Sequence, residues 1–319
     1  MLGLAFTMQA QVRLNQVGLS PQQEKVATVE GVVKASQVKI LDAKTGLQVV
    51  KPHVLRVVTS PFSKKKRTVI DFSSLKTEGD YLVIAGKHLQ PFCIRQQALH
   101  EVSRGALKAF YLVRSGMPIE AQYAGEWARP VGHADTQVKV HSSAASPGRP
   151  EGTMLSSPGG WYDAGEYAKY TTNAAITVHT LLTSYITEHK QYDTISFNIP
   201  ESNNSTPDIL DEVMYELKWM LTMQDPNDGG VYNKVTPLRF SAFIKPADDK
   251  ADRYMIGKTI DCAYDFAATM ALASRVYAGN KDYPDFSEKA KKAALDAYRF
   301  ASKHSEYNEI LPFHNTIVN

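Results

Sequence analysis

Apolar and polar residues alternate in short runs through the first part of the chain. Turn-forming residues such as Gly46 and Gly79 separate the runs. The runs lie at residues 25–29, 37–41, 67–72 and 81–84. Short strands with turns at this spacing are typical of a β-sandwich. Residues 11–94 are therefore predicted to form an all-β domain.

Helical periodicity replaces this alternation after residue 94. Pro207 follows Thr206, and proline is favoured at the first position of a helix because its fixed φ suits the helix and its missing N–H is not needed there. Apolar stripes at helical spacing lie at residues 210–221, 263–271 and 290–301, with further helical runs at 99–113 and 171–186. The pattern predicts about five long helices.

Two carboxylates lie three positions apart in the glycine-rich segment GGWYDAGEYAKY, residues 159–170. Asp163 and Glu166 have the spacing of a capping box, in which both would only satisfy backbone N–H groups at the start of a helix. Several aromatic residues favour a different interpretation, because aromatic faces are the usual platform for the C–H face of a pyranose. These aromatics are Trp161, Tyr162, Tyr167 and Tyr170.

The DAGE sequence of residues 163–166 resembles the Asp-Ala-Gly-Asp signature of glycoside hydrolase family 9, a cellulase family with an (α/α)6 barrel. Other stretches resemble the same family in order along the chain. They are residues 13–18, 106–116, 127–135, 207–224 and 229–235. The resemblance implies a multidomain β + α fold, with an immunoglobulin-like β-sandwich over residues 11–94 and part of an (α/α)6 barrel over 95–319. Since such a barrel needs twelve helices, the barrel is expected to be truncated.

The resemblance also implies a reaction, the inverting hydrolysis of β-1,4-glucosidic bonds in cellulose or a related β-glucan. The second acid of the signature is the catalytic base and falls on Glu166, while Asp163 helps to hold the water. The family normally has Asp at the base position, and the extra methylene of Glu could displace the carboxylate by about 1.5 Å. A misplacement of about 1 Å can cost roughly a hundredfold in rate. The family's general acid is a Glu expected outside these 319 residues, which would leave the chain alone inactive.

Other residues are predicted from the resemblance to contact the glycan. For His133 a structural hydrogen bond is an equally open interpretation. Asn233 stands where relatives often have a histidine. The predicted substrate-binding residues are Trp161, Tyr162, Tyr167, Trp127, Arg129, His133, Asp135, Tyr232 and Asn233.

No metal site is predicted from ligand spacing, and no cofactor is expected to be required. Residues 225–230 faintly suggest a calcium loop but fail the EF-hand pattern, so a tight turn after a helix is the simpler interpretation. Family members often bind calcium elsewhere, which keeps calcium open. Cys93 and Cys262 lie far apart. Zinc is not expected, because Gly132 stands where relatives can carry a cysteine.

Charge and hydropathy limit the partners. The chain has 36 basic and 33 acidic residues and a net charge of +3, so no field favours nucleic acid. The basic run at residues 64–67 predicts a solvated hairpin turn. Residues 1–10 are interpreted as the remainder of a secretion signal or an extension, and no other stretch is long enough to span a membrane. We expect a secreted or periplasmic monomer that acts on a β-glucan.

Two alternatives stay open at this point. A noncatalytic glycan-binding protein could keep the cleft and lose acid–base competence, and Glu166 in place of Asp favours it. An exo-acting enzyme, such as a cellobiohydrolase or glucosaminidase, would share the residues discussed above. Loop lengths decide between endo and exo action, and the sequence does not show which loops close the cleft.

Overall fold

The computed structural model describes residues 12–304 and the backbone of residues 316–317. The chain divides into two compact units, Met1–Ser103 and Arg104–Asn319. The secretion-signal interpretation concerns residues 1–10, which lie outside the described residues. Within the described part, no helix is both long and apolar enough to cross a membrane.

The first unit contains two four-stranded sheets, with strand orders β1-β2-β6-β5 and β4-β3-β7-β8. Alternate residues of the strands face a shared core; in β7, for example, Tyr81, Val83 and Ala85 are buried. This arrangement agrees with the predicted β-sandwich. The strands are β1 (Val12–Arg13), β2 (Val26–Glu30), β3 (Val38–Asp42), β4 (Gln48–Val50), β5 (His53–Thr59), β6 (Lys66–Asp71), β7 (Gly79–Ala85) and β8 (His88–Ile94).

The basic run lies at the turn of the β5–β6 hairpin, where Lys64 has a φ of 57°. Lys65 pairs with Glu30 at 2.8 Å, and both side chains are exposed. Lys66 and Arg67 already belong to β6. The predicted hairpin turn is confirmed, and an exposed ion pair of this kind contributes little to stability.

Helices dominate the second unit, and each predicted helical run corresponds to one of them. In α4 the buried face includes Leu210, Val213, Leu217 and Met220, which is the spacing that the sequence pattern predicts. The helices are α1 (His100–Leu112), α2 (Ala121–Ala124), α3 (Thr171–Tyr192), α4 (Asp208–Thr222), α5 (Ile260–Val276) and α6 (Phe286–Lys303). The α5 helix packs on α3 and α6, and α3 also packs on α4.

A small sheet, missed by the sequence pattern except near residues 229–235, joins the helices. Its strand order is β10-β9-β14-β12-β11, while β13 pairs in parallel with β15. In the pair of β11 and β12, Lys169 lies opposite Val235 and Tyr170 opposite Lys234. The strands are β9 (Val138–Val140), β10 (Met154–Leu155), β11 (Lys169–Tyr170), β12 (Tyr232–Thr236), β13 (Arg239–Phe240), β14 (Tyr254–Lys258) and β15 (Thr316–Ile317).

The closed (α/α)6 barrel is not confirmed. The residues that the structure describes form six α-helices, of which α2 has only four residues. The buried core of the unit is shared between α3, α4, α5, α6 and strand β12. What the structure shows is therefore a helical layer with a small sheet that leads into the DAGE segment.

Candidate active site

The DAGE segment forms a turn between Trp161 and β11, outside any helix. The N–H of Asp163 donates to the carbonyl of Ala168 at 2.9 Å, which closes the turn. The following helix, α3, begins only at Thr171, and its N-cap residue Tyr170 makes no side-chain capping bond. The capping-box interpretation is therefore wrong, because neither acid lies at the start of the helix.

Asp163 is an exposed carboxylate held from one side. Its Oδ1 accepts a hydrogen bond of 2.7 Å from Nδ2 of Asn173, in the first turn of α3. Asp163 lines a cavity of about 190 Å³. The lining residues are Phe110, Val113, Trp161, Tyr162, Asp163, Tyr170, Asn173, Ala174, Thr177 and Glu216. This site offers an open acid beside aromatic side chains.

Glu166 is half-buried and does not line that cavity. Its charge nevertheless affects the hydroxyl of Tyr170, as does the charge of Asp163. Burial raises the pKa of Tyr170, and the charges of Glu166 and then Asp163 raise it further. Across the β11–β12 pair, Nζ of Lys234 lies 5.3 Å from the centre of the Tyr170 ring. Both acids of the turn thus act on one protonated hydroxyl.

Trp161 fixes the start of the turn through two acids of α4. Its backbone N–H donates to Oε2 of Glu216 at 2.6 Å, and its indole N–H donates to Oε1 of Glu212 at 2.9 Å. The indole also packs on Phe110, with 4.8 Å between ring centres. Glu212 is in turn paired with the fully buried Arg114 at 2.9 Å. Trp161 therefore lines the cavity from a position with little freedom.

Glu216 is a buried acid beside the turn, and its pKa is raised. Burial raises its pKa to about 8, although the Trp161 N–H and the nearby Lys169 favour the ionised form. The side chain is therefore mostly neutral at pH 7. The adjacent turn is tight, because Gly160 has a φ of 78° and a Cβ there would lie 2.6 Å from Trp219.

Tyr162, Tyr167 and His133 form a compact aromatic cluster behind the turn. Tyr162 Oη lies 2.8 Å from Nδ1 of His133, and the three ring centres are 5.1 to 5.4 Å apart. Burial raises the pKa of Tyr162 to about 12. The hydroxyl of Tyr167 donates to the carbonyl of Ile244. Of the predicted sugar-contacting tyrosines, Tyr162 lines the cavity while Tyr167 stands behind it.

Asp135 does not fit the predicted contact with substrate. Its carboxylate is buried between Lys169 at 2.8 Å and Arg253 at 3.0 Å. Burial opposes ionisation, but these two cations hold the pKa of Asp135 below its ordinary value. Asp135 is therefore a structural ion-pair partner, which ties its loop to β11 and to the residue before β14.

Tyr232 and Asn233 both contact side chains of the second unit, but they differ in burial. The Tyr232 side chain is fully buried, and its hydroxyl donates to Asp225 at 2.9 Å. Asn233 is half-buried, and its amide lies 3.3 Å from Sγ of Cys262. The prediction of sugar contact is wrong for Tyr232, because its hydroxyl and ring are enclosed by the core.

Trp127 and Arg129 differ from each other in exposure. Trp127 is 69% exposed and presents an open aromatic face. Arg129 is half-buried; its Nη2 donates to the carbonyl of Arg114 at 2.7 Å, and its guanidinium lies 5.5 Å from the ring centre of Tyr162. Trp127 remains a predicted sugar contact, whereas Arg129 stacks on the cluster that holds Tyr162.

The two positions weighed for a metal in the sequence, residues 225–230 and Gly132, are occupied by other protein atoms. Asp225 and Asp228 both contact Nζ of Lys258, at 2.8 and 2.6 Å, so an ammonium group takes the place that calcium would need. At Gly132, a Cβ would lie 2.6 Å from Pro246, which leaves no room for a cysteine. In the described part of the chain, no group of three or more His, Cys, Asp or Glu could hold a metal ion.

Sequence reasoning missed several residues that build the site. Asn173 and Glu216 contact the turn and the residue before it from α3 and α4, and Asp249 contacts His133 from a loop before β14. One signal was available: Glu212 and Glu216 lie one helical turn apart on a helix whose inner face is apolar. Acids at such positions need buried partners, which here are provided by Trp161.

Comparison with known proteins identifies the family. The sequence model of glycosyl hydrolase family 9 matches residues 100–316, and that of the cellulase N-terminal Ig-like domain matches residues 7–88. The matched regions fall on the helical and β parts described above.

Relatives of known activity agree with this match. The chain is 46% identical over 303 residues to a xyloglucan-specific endo-β-1,4-glucanase of Bacteroides ovatus, covering 94% of this chain and 51% of that protein. It is 30% identical over 300 residues to endoglucanase D of Acetivibrio thermocellus, covering 92% and 46%. A solved Bacteroides ovatus family 9 structure superposes with a TM-score of 0.91 at 44% identity, covering 97% of this chain and 57% of that one. The chain thus spans about half the length of these relatives, and it belongs to glycosyl hydrolase family 9.

Proposed function

We propose that the protein hydrolyses internal β-1,4-glucosidic bonds of a β-glucan with inversion at the anomeric carbon. The observation that carries the proposal is the placement of Asp163. The chain belongs to glycosyl hydrolase family 9. Its Asp163 is exposed, oriented by Asn173 and open to a cavity lined by Trp161 and Tyr162. A carboxylate of this kind can hold a water molecule against a sugar ring.

The roles follow the family pattern. Inversion needs a base that deprotonates water on one face of the sugar and an acid that protonates the leaving oxygen on the other. The proposal assigns the base to Glu166 and the holding of water to Asp163. Their common influence on Tyr170 supports a shared site. The general acid is assigned, as the resemblance implies, to a Glu outside these 319 residues.

The substrate is proposed to be xyloglucan or cellulose. The Bacteroides ovatus relative, 46% identical, is named as xyloglucan-specific. Trp127, with 69% of its surface exposed, offers a face on which a glucose unit can stack. We further propose that the protein is a monomer that acts outside the cytoplasm, where such polysaccharides are found.

The test measures reducing ends released from xyloglucan and carboxymethylcellulose by the protein in its full natural length. Asp163→Asn and Glu166→Gln are each expected to lower kcat by about a hundredfold or more, since positioned acid–base groups contribute roughly 10²–10⁴. Glu288→Gln changes an exposed acid of α6 and serves as the matched control. Wild-type rates in both site variants would contradict the proposal.

A noncatalytic glycan-binding protein is the second candidate, and Glu166 in place of the family's Asp favours it. Here the natural protein would bind the glucan and release no product. Glu166→Asp separates the two ideas, because it restores the family residue. Glucan binding by the natural protein, together with turnover that appears only in Glu166→Asp, would support the binding function.

A further inference from the structure

Three side chains connect the turn to two loops that approach it from elsewhere in the chain. Tyr162, directly before Asp163, has its hydroxyl 2.8 Å from Nδ1 of His133. On the other side of the ring, Nε2 of His133 lies 3.4 Å from Oδ2 of Asp249. The His133 and Asp249 side chains are only 3% and 2% exposed.

We propose that His133 is a positioning residue for the hydrolytic reaction, acting through Tyr162 on the carboxylate of Asp163. Asp249 orients the His133 ring from behind. The inference rests on the proposed function, and it assigns His133 no contact with the sugar. Any loss of the Tyr162–His133 bond frees the tyrosine whose backbone continues into Asp163.

The proposal assigns one tautomer to His133. In it, the Tyr162 hydroxyl donates to Nδ1, and the imidazole proton lies on Nε2 and points towards the Asp249 carboxylate. Burial and then the Arg253 charge lower the pKa of His133, while Asp135 and Asp249 act in the opposite direction. The neutral ring can accept from Tyr162, whereas a doubly protonated ring cannot.

The contact between His133 and Asp249 is long. At this distance, neither Nε2 of His133 nor Oδ2 of Asp249 makes a hydrogen bond with the described residues. A buried donor and a buried acceptor that face each other both gain by closing such a gap. Catalytic hydrogen bonds are often long in the free protein and shorten in the complex with substrate.

Backbone strain is concentrated in the same place. Five non-glycine residues in the described part have positive φ. Two of them, His133 at 42° and Tyr167 at 59°, belong to the aromatic cluster, and a third, Asp135 at 48°, lies two residues after His133. Such conformations cost of order 1–3 kcal/mol each and occur preferentially at functional sites. The hydroxyl of Tyr167 also donates to Ile244, in the loop that carries Asp249. The loops and the turn are thus joined twice.

The experiment compares kcat and KM on cellohexaose and a xyloglucan oligosaccharide, using the protein in its full natural length. Three variants change the bond. His133→Leu removes the acceptor, Tyr162→Phe removes the donor, and His133→Asn keeps an acceptor oxygen near the position of Nδ1. Tyr185→Phe is the matched control, since it removes a phenol hydroxyl that bonds to Asp193 near the far end of α3.

We expect His133→Leu and Tyr162→Phe to lower kcat by about 10- to 100-fold with KM within about twofold, the size expected for a shift of about 1 Å. The double variant should lose no more than either single one, because both remove one bond. His133→Asn should recover most of the loss, and Tyr185→Phe should keep the wild-type kcat. Circular dichroism and thermal unfolding identify variants that fail to fold; Tyr162→Phe then carries the test.

Wild-type kcat in His133→Leu and Tyr162→Phe would overturn the inference and leave the proposed function intact. An Asn variant as slow as the Leu variant would also overturn it, because a packing role would explain both losses. If the natural protein releases no product from either substrate, the proposed function fails and the inference fails with it. Product release by the natural protein therefore distinguishes failure of the proposed function from failure of the inference about His133.

Discussion

Replacement of Glu216 by Gln should change how stability depends on pH. The carboxyl is 1% exposed, and its pKa is about 8 in the fold against an ordinary value of 4.5. Between these values the folded chain holds a proton that the unfolded chain has released. The stabilisation from Glu216 is therefore complete below pH 4.5 and is lost as pH rises towards 8.

The magnitude follows from the shift. Each pH unit within that interval changes the free energy of unfolding by about 1.4 kcal/mol, so a rise from pH 5 to pH 7 costs the natural protein on the order of 3 kcal/mol. Gln has the shape of the protonated acid and cannot ionise. Its side-chain oxygen can still accept from the N–H of Trp161, which Glu216 does at 2.6 Å. Glu216→Gln should match the natural protein near pH 5 and exceed its stability at pH 7.

Urea unfolding followed by tryptophan fluorescence measures this difference between pH 5 and 8. All three tryptophans lie in the second unit, so the signal reports on the helices around the site. Glu151→Gln changes an exposed acid and should alter stability by less than about 0.5 kcal/mol. A difference between Glu216→Gln and the natural protein that stays constant over this range would refute the reasoning.

Three further predictions concern the scaffold and the cleft. Gly160→Ala should lower the free energy of unfolding by more than about 3 kcal/mol, because its Cβ would lie 2.6 Å from Trp219. Gly152 has a similar φ and open space around it, so Gly152→Ala should lower the free energy of unfolding by only about 1–2 kcal/mol. Urea unfolding compares the two variants, and equal losses would contradict the steric argument. Asp135→Asn should lower the free energy of unfolding by about 3–5 kcal/mol, because it leaves two buried cations underpaired. Urea unfolding measures this loss, and a loss below about 1 kcal/mol would contradict the buried ion-pair role. Trp127→Ala should leave stability unchanged and lower kcat/KM on β-glucan by about tenfold, and an unchanged kcat/KM would remove Trp127 from the cleft.

The sequence predicted the elements that show a clear apolar period and missed others for two physical reasons. Helix α4 shows its buried stripe directly in the pattern of apolar residues. Strand β5 has residues exposed on both faces, so it carries no alternation that could be recognised. Strands β10 and β11 have two residues each, which is too short for any period. Their existence depends on partners that are distant in sequence.

The same distinction applies to the site. Asp163 and Glu166 could be proposed from the sequence because the motif is local. The partner residues Asn173, Glu216 and Asp249 could not be, since each comes from a different element: Asn173 and Glu216 contact Asp163 and Trp161, and Asp249 contacts His133. Asp135 was misassigned for the same reason: Lys169 and Arg253 neutralise it only after β11 and the β14 region come together. The spacing of residues in a sequence can identify a candidate acid, but only the fold shows which groups contact its carboxylate oxygens.

The central claim is that Asp163 and Glu166 direct a water molecule to the face of the sugar opposite the leaving group. Proton NMR of cellohexaose or a xyloglucan oligosaccharide, recorded during the first minutes of hydrolysis by the protein in its full natural length, tests this most directly. The account predicts that the newly formed reducing ends appear first as the α-anomer, and that Glu166→Gln abolishes them. Initial release of the β-anomer, or the same rate of release from Glu166→Gln, would contradict it.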